Sequence, residues 1–385
     1  MHISTAKQRA TLLALYGAGI LTATVQRGVL SREHTTFTIF RQSFSHLISH
    51  QNLYAAYPAE QGAAAADLFK YSPSAAMLFA PLALMPYAAA MLLWNVLNVA
   101  VLVFAITRIL PPRRANLALL LLAPEIFVSI QASSSNGLVA GLILLAALAY
   151  EEGRLLRAGY AISVGAAMKI FPLAVFVFGM LQVRRRPAII ASIVAFIAVL
   201  SLPLLVISPR ELLQQYQWWL VVEGADAKDM VFGLSLMRQL RDWSQLTWPN
   251  WVIQLLGTAF FLLPIAIRRS QWKNEAFRVQ YLCSLLVYVV LFNHQAERQS
   301  FIIAATGCVL WYVNSRRNVE GTVLLAIALV GVPTVPYLAM WLVIHFELLR
   351  GMPSLILSEP VVRPVVRPVV AVAPRRWMAR YRQAS

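Results

Sequence analysis

Charge is scarce in this chain: Asp, Glu, Lys and Arg together make up 13% of the 385 residues, whereas hydrophobic residues make up 59%. A typical soluble domain carries about 25% charged residues. The mean hydropathy of +0.65 departs from soluble proteins in the same direction. This composition argues against a soluble globular protein and predicts an integral membrane protein.

Cysteine is scarce as well. The chain has two cysteines, Cys283 and Cys308, and both fall inside apolar segments that we predict to be helical. This placement argues against a disulfide framework and against a zinc site built on cysteine. The sequence therefore predicts no cofactor, although it leaves a metal requirement open.

Long apolar runs are abundant, and a helix needs about 20 such residues to cross the hydrocarbon core of a bilayer. The runs lie near residues 10–27, 86–107, 115–131, 136–150, 187–207, 251–267, 277–292, 299–314 and 321–347, with shorter ones near 158–168 and 170–182. We predict an all-α polytopic membrane protein with about nine to eleven transmembrane or re-entrant helices. Residues 1–350 form one integral domain in this interpretation, and residues 351–385, rich in Pro, Val and Arg, form a disordered cytoplasmic tail.

Acidic residues are half as frequent as basic ones, 16 against 33, and the net charge is +17. Nucleic-acid binding is not indicated, because the basic residues cluster between the apolar runs. The clusters are Lys7 with Arg9, Arg108 with Arg113 and Arg114, residues 184–186, Arg268 with Arg269, and Arg316 with Arg317. By the positive-inside rule they mark cytoplasmic loops. The loops at 28–72, 132–135, 208–250 and 293–298 are then expected on the outer side.

The stretch 158–182 lies between two segments that we expect on the cytoplasmic side, so it has to enter the membrane and return. Phe171-Pro172 is the expected turning point, because proline interrupts the helical hydrogen bonds. Lys169 falls near the tip of this re-entrant pair. It either pairs with a carboxylate or a helix end, or it contacts a ligand phosphate; the sequence leaves both open.

The first polar segment of interest is Leu68-Phe-Lys-Tyr-Ser-Pro73, at the mouth of a predicted helix. The Lys70 ammonium attracts phosphate and the Tyr71 ring can stack on a sugar. The alternative is an interfacial anchor of lysine and tyrosine. Upstream, the apolar spacing over 36–50 predicts an amphipathic helix at the membrane surface; His46 and His50 on it are either a weak metal pair or part of a solvated face.

The second polar segment is Phe292-Asn-His-Gln-Ala-Glu-Arg298, which follows a long apolar run. If the helix continues through it, His294, Glu297 and Arg298 share one face. The histidine can donate to phosphate or move a proton, and the arginine can bind phosphate with two hydrogen bonds. The alternative is a water-exposed connection between helices.

These motifs, taken in chain order, resemble family 87 of the membrane glycosyltransferases, which have the GT-C fold. The resemblance spans about residues 30–315 and rests on Phe37-Thr-Ile-Phe-Arg-Gln-Ser-Phe44, Leu53-Tyr54, Lys70-Tyr-Ser-Pro73, Pro81-Leu-Ala-Leu-Met-Pro86, Leu93-Trp94-Asn95, Asn136-Gly137, Ala158-Gly159, Ala166-Ala-Met-Lys-Ile-Phe-Pro172, and Asn293-His294 through Glu297 to Phe301-Ile-Ile303.

The resemblance implies a GT-C-like bundle whose external loops carry the site. It also implies transfer of a hexose, typically mannose, from a polyprenyl-phosphate donor to a lipid or glycan acceptor on the outer face of the membrane. In similar enzymes an external carboxylate acts as general base, the sugar inverts, and lipid phosphate leaves. The expected partners are therefore the polyprenyl-phosphate sugar, the acceptor and membrane lipids.

The resemblance also suggests roles for individual residues. Lys70, His294 and Arg298 would hold the carrier phosphate, with support from Lys169. The remaining expectations place Tyr71 and Trp94 along the sugar or prenyl path, Asn136 on a sugar hydroxyl or at a helix cap, and Thr36, Arg41 and Glu297 in substrate-binding segments.

One position departs from the family pattern. Similar proteins carry an aspartate directly before the Phe-Thr-Ile-Phe-Arg stretch, and this chain has Thr36 there. Threonine is not a carboxylate base. Either Glu33 takes the role, or Asp67 or Glu60 reaches in, or the chain is a catalytically impaired paralogue that binds the lipid carrier.

Two other classes of membrane protein share some features with this chain. A transporter would use ionisable residues along its helices and often an internal repeat, whereas the predicted helices here are nearly free of acidic residues and no repeat is visible. A polymerase or ligase acting on oligosaccharide lipids would share the architecture without these motifs.

The loop 208–250 carries several tryptophans, which suits either an amphipathic flap over the acceptor or interfacial anchoring.

Overall fold

The computed structural model describes residues 5–31, 35–57, 68–182, 185–229, 233–245, 248–315, 319–331, 334–351 and 355. These parts of the chain are almost entirely helical and contain no β-strand. Among the described helices, four are long and apolar enough to cross a membrane, namely Thr5–Leu30, Tyr87–Ile109, Pro112–Gln131 and Asn250–Ile267. The prediction of an all-α polytopic membrane protein is confirmed.

The helices fall into two halves along the chain. The first half has α1 (Thr5–Ala23, continued by a π-helix over Thr24–Leu30), α2 (Thr35–Ile48), α3 (Pro73–Leu78), α4 (Ala80–Ala83), α5 (Tyr87–Ile109), α6 (Pro112–Gln131), α7 (Asn136–Glu151), α8 (Leu155–Met168) and α9 (Phe176–Leu181). The second half has α10 (Arg185–Leu200), α11 (Pro209–Asp229), α12 (Leu236–Ser244), α13 (Asn250–Ile267), α14 (Glu275–Leu291), α15 (Phe301–Asn314), α16 (Val319–Val330) and α17 (Thr334–Arg350).

Most of these helices coincide with the apolar runs of the sequence. The run 321–347, for which the sequence allows one kinked helix or two short ones, forms the two helices α16 and α17. The amphipathic segment 36–50 forms α2, and its apolar residues Phe37, Phe40 and Leu47 are fully buried. The tail from residue 356 onward lies outside the described residues.

Helix α15 is the centre of the bundle. Every one of its residues from Phe301 to Asn314 is buried, as expected for a helix that is apolar on all sides. It packs against α6, α7, α14, α16 and α17. Gly307 permits a close approach to α14, since a Cβ there would lie 2.5 Å from the carbonyl oxygen of Cys283. Small residues at such crossings are typical of helix packing in membranes.

Many of the basic residues lie at one end of the bundle, which we call the basic end. Its contacts include Arg9 to Asn116 at 3.0 Å, Arg108 to Glu152 at 3.5 Å, Arg114 to Asn314 at 2.9 Å, Arg268 to the Leu349 carbonyl at 2.7 Å, and Arg278 to Glu151 at 2.6 Å. These residues belong to several predicted cytoplasmic clusters or lie close to them in sequence. The clusters that are far apart in sequence are therefore close in space.

The stretch 158–182 leaves the basic end and returns to it. Helix α8 starts beside Arg154, which pairs with Glu152 at 2.8 Å. The chain turns at Lys169, which has extended backbone angles, and passes back through a 3₁₀-helix over Phe171–Val175 and through α9. Arg185 then stacks on the Trp272 ring at the basic end. Lys169 is thus at the far tip of this hairpin.

Helix α11 begins with a capping box that fixes its start. The backbone N–H of Ser208 donates to Oε2 of Glu211 at 2.8 Å, and the N–H of Glu211 donates to Oγ of Ser208 at 3.3 Å. Pro209 occupies the first turn, where its missing N–H is not needed. Nδ1 of His50 lies 2.9 Å from Oε1 of Glu211, which joins the end of α2 to this cap.

Candidate active site

A cavity of about 770 Å³ opens at the end of the bundle opposite the basic end. Pockets for small molecules usually enclose about 300–1,000 Å³. Its polar lining comes from distant parts of the chain and comprises Thr36, Lys70, Ser72, Lys169, Glu223, Asn293, His294, Gln295 and Glu297. Aromatic rings of Phe40, Tyr71, Phe171 and Trp219 also line it. The two polar segments singled out in the sequence therefore meet at one cavity.

Helix α2 forms one wall and presents Thr36 to the cavity. An aromatic cluster holds this helix in place: the Phe40 ring lies 4.7 Å from Tyr71 and 4.6 Å from Phe79, measured between ring centroids. Oγ1 of Thr38 is 3.0 Å from the hydroxyl of Tyr87, at the start of α5. The packing fixes the first turn of α2 relative to the segment that carries Lys70.

The segment 68–72 is not helical and is held on two sides. Ser72 donates twice to the carbonyl of Ala167, from its N–H at 3.2 Å and from its hydroxyl at 2.9 Å. On the other side the indole N–H of Trp219 donates to the Lys70 carbonyl at 3.1 Å, and the Tyr54 hydroxyl donates to the Tyr71 carbonyl at 2.8 Å. These contacts bring Lys70 beside the tip of α8, where Lys169 lies.

Lys169 is partly buried in the cavity wall. Its ammonium lies 5.7 Å from the centre of the Phe171 ring, and its charge interacts favourably with that of Glu297. Within the described residues, no carboxylate oxygen comes within 4.0 Å of this ammonium. Of the two roles that the sequence left open, the position suits contact with an anionic ligand.

The segment 293–297 is a turn, so the helix does not continue through it, which was one of the two possibilities that the sequence left open. Oδ1 of Asn293 accepts from the N–H of Gln295 at 3.1 Å, and the Asn293 carbonyl accepts from the N–H of Ala296 at 3.3 Å. An asparagine side chain that bonds the backbone two residues ahead competes with the helix. The turn nevertheless places His294 and Glu297 in the wall of the cavity.

The imidazole of His294 is oriented by helix α13. Nε2 of Gln254 lies 3.3 Å from Nδ1 of His294 and donates to the Phe292 carbonyl at 3.2 Å. An amide N–H can only donate, so in a neutral ring this contact assigns Nδ1 as the acceptor and Nε2 as the protonated nitrogen.

The connection between α11 and α12 holds the 293–297 turn from outside. The N–H of Leu234 donates to the Ala296 carbonyl at 2.8 Å, and the hydroxyl of Thr334 donates to the Leu234 carbonyl. Gly233, just before, has φ of +64°, and a Cβ at this position would lie 2.4 Å from the Ala296 oxygen. Only glycine combines this backbone angle with this approach.

Arg298 has a different environment from the one expected. It donates from both terminal nitrogens to Glu125 on α6, at 2.6 and 2.8 Å. The Glu125 side chain is fully buried, and 37% of the Arg298 side chain is exposed. Arg298 therefore holds the second polar segment onto α6, and the structure does not bring it into the cavity wall.

Three further residues that the sequence pointed to lie away from the cavity. Arg41 donates to the Met85 carbonyl at 3.0 Å. Trp94 is buried and donates from its indole N–H to the Ser133 carbonyl at 2.8 Å. Asn136 is buried at the start of α7, and among the described residues neither polar atom of its side chain has a hydrogen-bond partner. None of the three is part of the cavity lining.

The candidates for the general base divide into two groups. Glu33, Glu60 and Asp67 lie outside the described residues. Within the described residues, the carboxylates that line the cavity are Glu223 and Glu297. Glu297 accepts a hydrogen bond from the Gln299 amide. The sequence analysis did not single out Glu223, so its place in the cavity wall was missed.

In the described part of the chain, no group of three or more His, Cys, Asp or Glu side chains could hold a metal ion. The two histidines of α2 and its C-terminal turn do not form a pair. His46 is buried against the Tyr57 ring, with 4.1 Å between the ring centres, whereas His50 faces Glu211.

An all-α membrane protein whose cavity combines lysines, a histidine, carboxylates and aromatic rings is suited to act on a polar substrate that carries an anionic group. Residues 69–293, more than half of the chain, match the sequence model of glycosyltransferase family 87. The chain therefore belongs to glycosyltransferase family 87 and is a membrane glycosyltransferase. The matched region includes Lys70, Tyr71 and Lys169 and ends beside His294. No curated protein has a sequence that matches this chain.

Proposed function

We propose that this protein transfers a hexose, in the first instance mannose, from a polyprenyl-phosphate donor to a lipid or glycan acceptor on the outer face of the cytoplasmic membrane, with inversion at the anomeric carbon. The observation that carries the proposal is the cavity, where Lys70, Lys169 and His294 converge from three separate segments. A site with several cationic or donor groups suits a phosphate that gains charge as it leaves.

The roles within this proposal follow from position. Lys70, Lys169 and the Nε2–H of His294 contact the carrier phosphate, and Tyr71 and Thr36 line the space for the sugar. Glu297 balances the charge of Lys169. Arg41, Asn136 and Arg298 act through their neighbours, since the cavity lining does not include them; Arg298 does so by anchoring the histidine turn to Glu125.

The transfer assay uses the purified full chain in nanodiscs with several radiolabelled polyprenyl-phosphate hexoses and a membrane-lipid extract as the source of acceptor. We expect labelled product with one donor, and a loss of about 100-fold in His294→Ala, the scale for removing one donor to a developing oxyanion. His50→Ala is the matched control, because His50 contacts Glu211 outside the cavity. Equal activity of the two variants would contradict the phosphate role of His294.

The outer location of the cavity rests on the positive-inside rule, because the cavity lies opposite the basic end. Labelling of single cysteines with a membrane-impermeant maleimide tests it. We expect Gln217→Cys on α11 to react in intact cells, and Lys273→Cys at the basic end to react only after permeabilisation; both positions are exposed. The native Cys283 and Cys308 are fully buried and give no background in the folded protein. The reverse pattern would place the cavity on the inner side.

A second candidate function is a catalytically impaired paralogue that binds the lipid carrier. Thr36 favours it, because this residue lines the cavity at the position where similar proteins carry an aspartate. In the same nanodiscs, retention of a labelled donor with no product from any donor tested would support this alternative. Product formation would exclude it.

A further inference from the structure

Helix α11 presents two chemically distinct side chains to the cavity. Trp219 and Glu223 both line it, and residues four apart lie on the same face of a helix. An aromatic ring beside a carboxylate is a common way to bind a sugar, since the ring covers an apolar face and the carboxylate accepts from a hydroxyl. None of the roles proposed above uses this face.

Helix α11 is held rigidly enough to define such a subsite. The Gln215 amide donates to the Gln51 carbonyl at 2.7 Å and accepts from the N–H of Leu53 at 3.2 Å. One residue further, the Tyr216 hydroxyl donates to the Leu200 carbonyl at 3.0 Å. Together with the hydrogen bond from Trp219 to the Lys70 carbonyl, these contacts fix the position of the α11 face relative to the segment 68–72, which carries Lys70.

The two carboxylates of the described cavity wall differ in their surroundings. Glu297 interacts with the positive charge of Lys169 and accepts a hydrogen bond from Gln299. The interaction with Lys169 places Glu297 among the groups proposed to hold the carrier phosphate. Glu223 lies on α11, a different element from those that carry the lysines, and one helical turn from Trp219. It is therefore the cavity carboxylate that shares a helix face with an aromatic ring.

We propose that the α11 face is the acceptor subsite, that Trp219 stacks on an acceptor sugar, and that Glu223 is the general base that replaces the aspartate absent at Thr36. This inference rests on the proposed function. In the step, the carboxylate of Glu223 removes the proton of an acceptor hydroxyl, and the hydroxyl oxygen bonds to the anomeric carbon. The bond from that carbon to the phosphate oxygen breaks, and polyprenyl phosphate leaves with the electron pair.

The test measures transfer and donor binding separately in nanodiscs. General-base catalysis contributes about 10²–10⁴-fold, so we expect Glu223→Gln to lose at least about 100-fold in kcat with the Kd for the labelled donor unchanged. Glu223→Asp should recover part of the rate. Trp219→Leu should raise KM for the acceptor more than it lowers kcat. Glu320→Gln at the exposed start of α16 is the matched control and should leave all of these quantities unchanged.

The set of variants separates the possible failures. If Glu33→Gln or Glu297→Gln abolishes transfer while Glu223→Gln keeps wild-type kcat, a different carboxylate is the base and the inference is overturned. If Glu223→Gln unfolds at a lower temperature than wild type and Glu223→Asp gives no recovery, the side chain is structural and the inference fails too. If the wild type binds the donor and makes no product, the proposed function itself fails.

Discussion

Gly233 offers a direct test of how the histidine turn is positioned. Its φ of +64° costs a non-glycine residue about 1–2 kcal/mol. An alanine Cβ would also lie 2.4 Å from the Ala296 oxygen, where ordinary contact begins at 3.4 Å. The turn that carries His294 and Glu297 must therefore move by about 1 Å, and displacements of this size can cost about 100-fold in rate. We expect Gly233→Ala to reduce transfer by up to about that factor.

Gly153→Ala is the control for this prediction. Gly153 has nearly the same backbone angle, φ of +70°, and a Cβ there would have nothing within 4 Å. Both variants should therefore lose similar stability from backbone strain, measured as the midpoint of thermal unfolding in detergent. Only Gly233→Ala should lose transfer activity. Equal activity of the two variants would refute the view that the connection between α11 and α12 positions the histidine.

Two further predictions concern stability. Glu125→Leu leaves the Arg298 charge without its partner and should lower the free energy of unfolding by about 3 kcal/mol, the lower end for a buried pair because Arg298 is partly exposed. Adding Arg298→Met should restore most of the unfolding midpoint. Purely additive losses would contradict the pair. Gly307→Ala should cost about 1–3 kcal/mol because the Cβ would meet the backbone of α14. Gly17→Ala, with nothing within 4 Å, should instead be neutral or stabilising by up to about 1 kcal/mol in the same unfolding assay.

The fold was largely predictable because membranes leave few choices. Every spanning segment has to satisfy its own backbone hydrogen bonds, so apolar length alone predicts helices. The hairpin at Lys169 followed from the position of the basic loops on either side of 158–182. The sequence does not indicate which distant charged residues pair with each other. Arg298 and Glu125 are 173 residues apart, and nothing local to either residue indicates the other.

The residues of the candidate site that can carry positive charge were predictable from the sequence. Lys70, Lys169 and His294 stand out because ionisable groups are rare beside long apolar runs, and all three line one cavity. Glu223 was missed because it lies in a segment with several other charged residues, where no single carboxylate is conspicuous. The available signal was its spacing of four from Trp219 on an amphipathic helix. The turn at 293–297, where the side chain of Asn293 accepts from the N–H of Gln295, was left open by the sequence because an apolar run does not show where its helix ends.

The two steps of the proposed reaction need groups of opposite charge, and these groups come from different elements of the fold. In the proposed reaction, breaking the bond between the sugar and the phosphate places negative charge on the phosphate, which favours cations at that end. Removing a proton from the acceptor requires a carboxylate beside the acceptor hydroxyl. Lys70, Lys169 and His294 come from the segment 68–72, the hairpin tip and the turn, whereas Glu223 comes from α11. The cavity therefore draws its proposed phosphate-binding groups and its proposed base from separate elements of the fold.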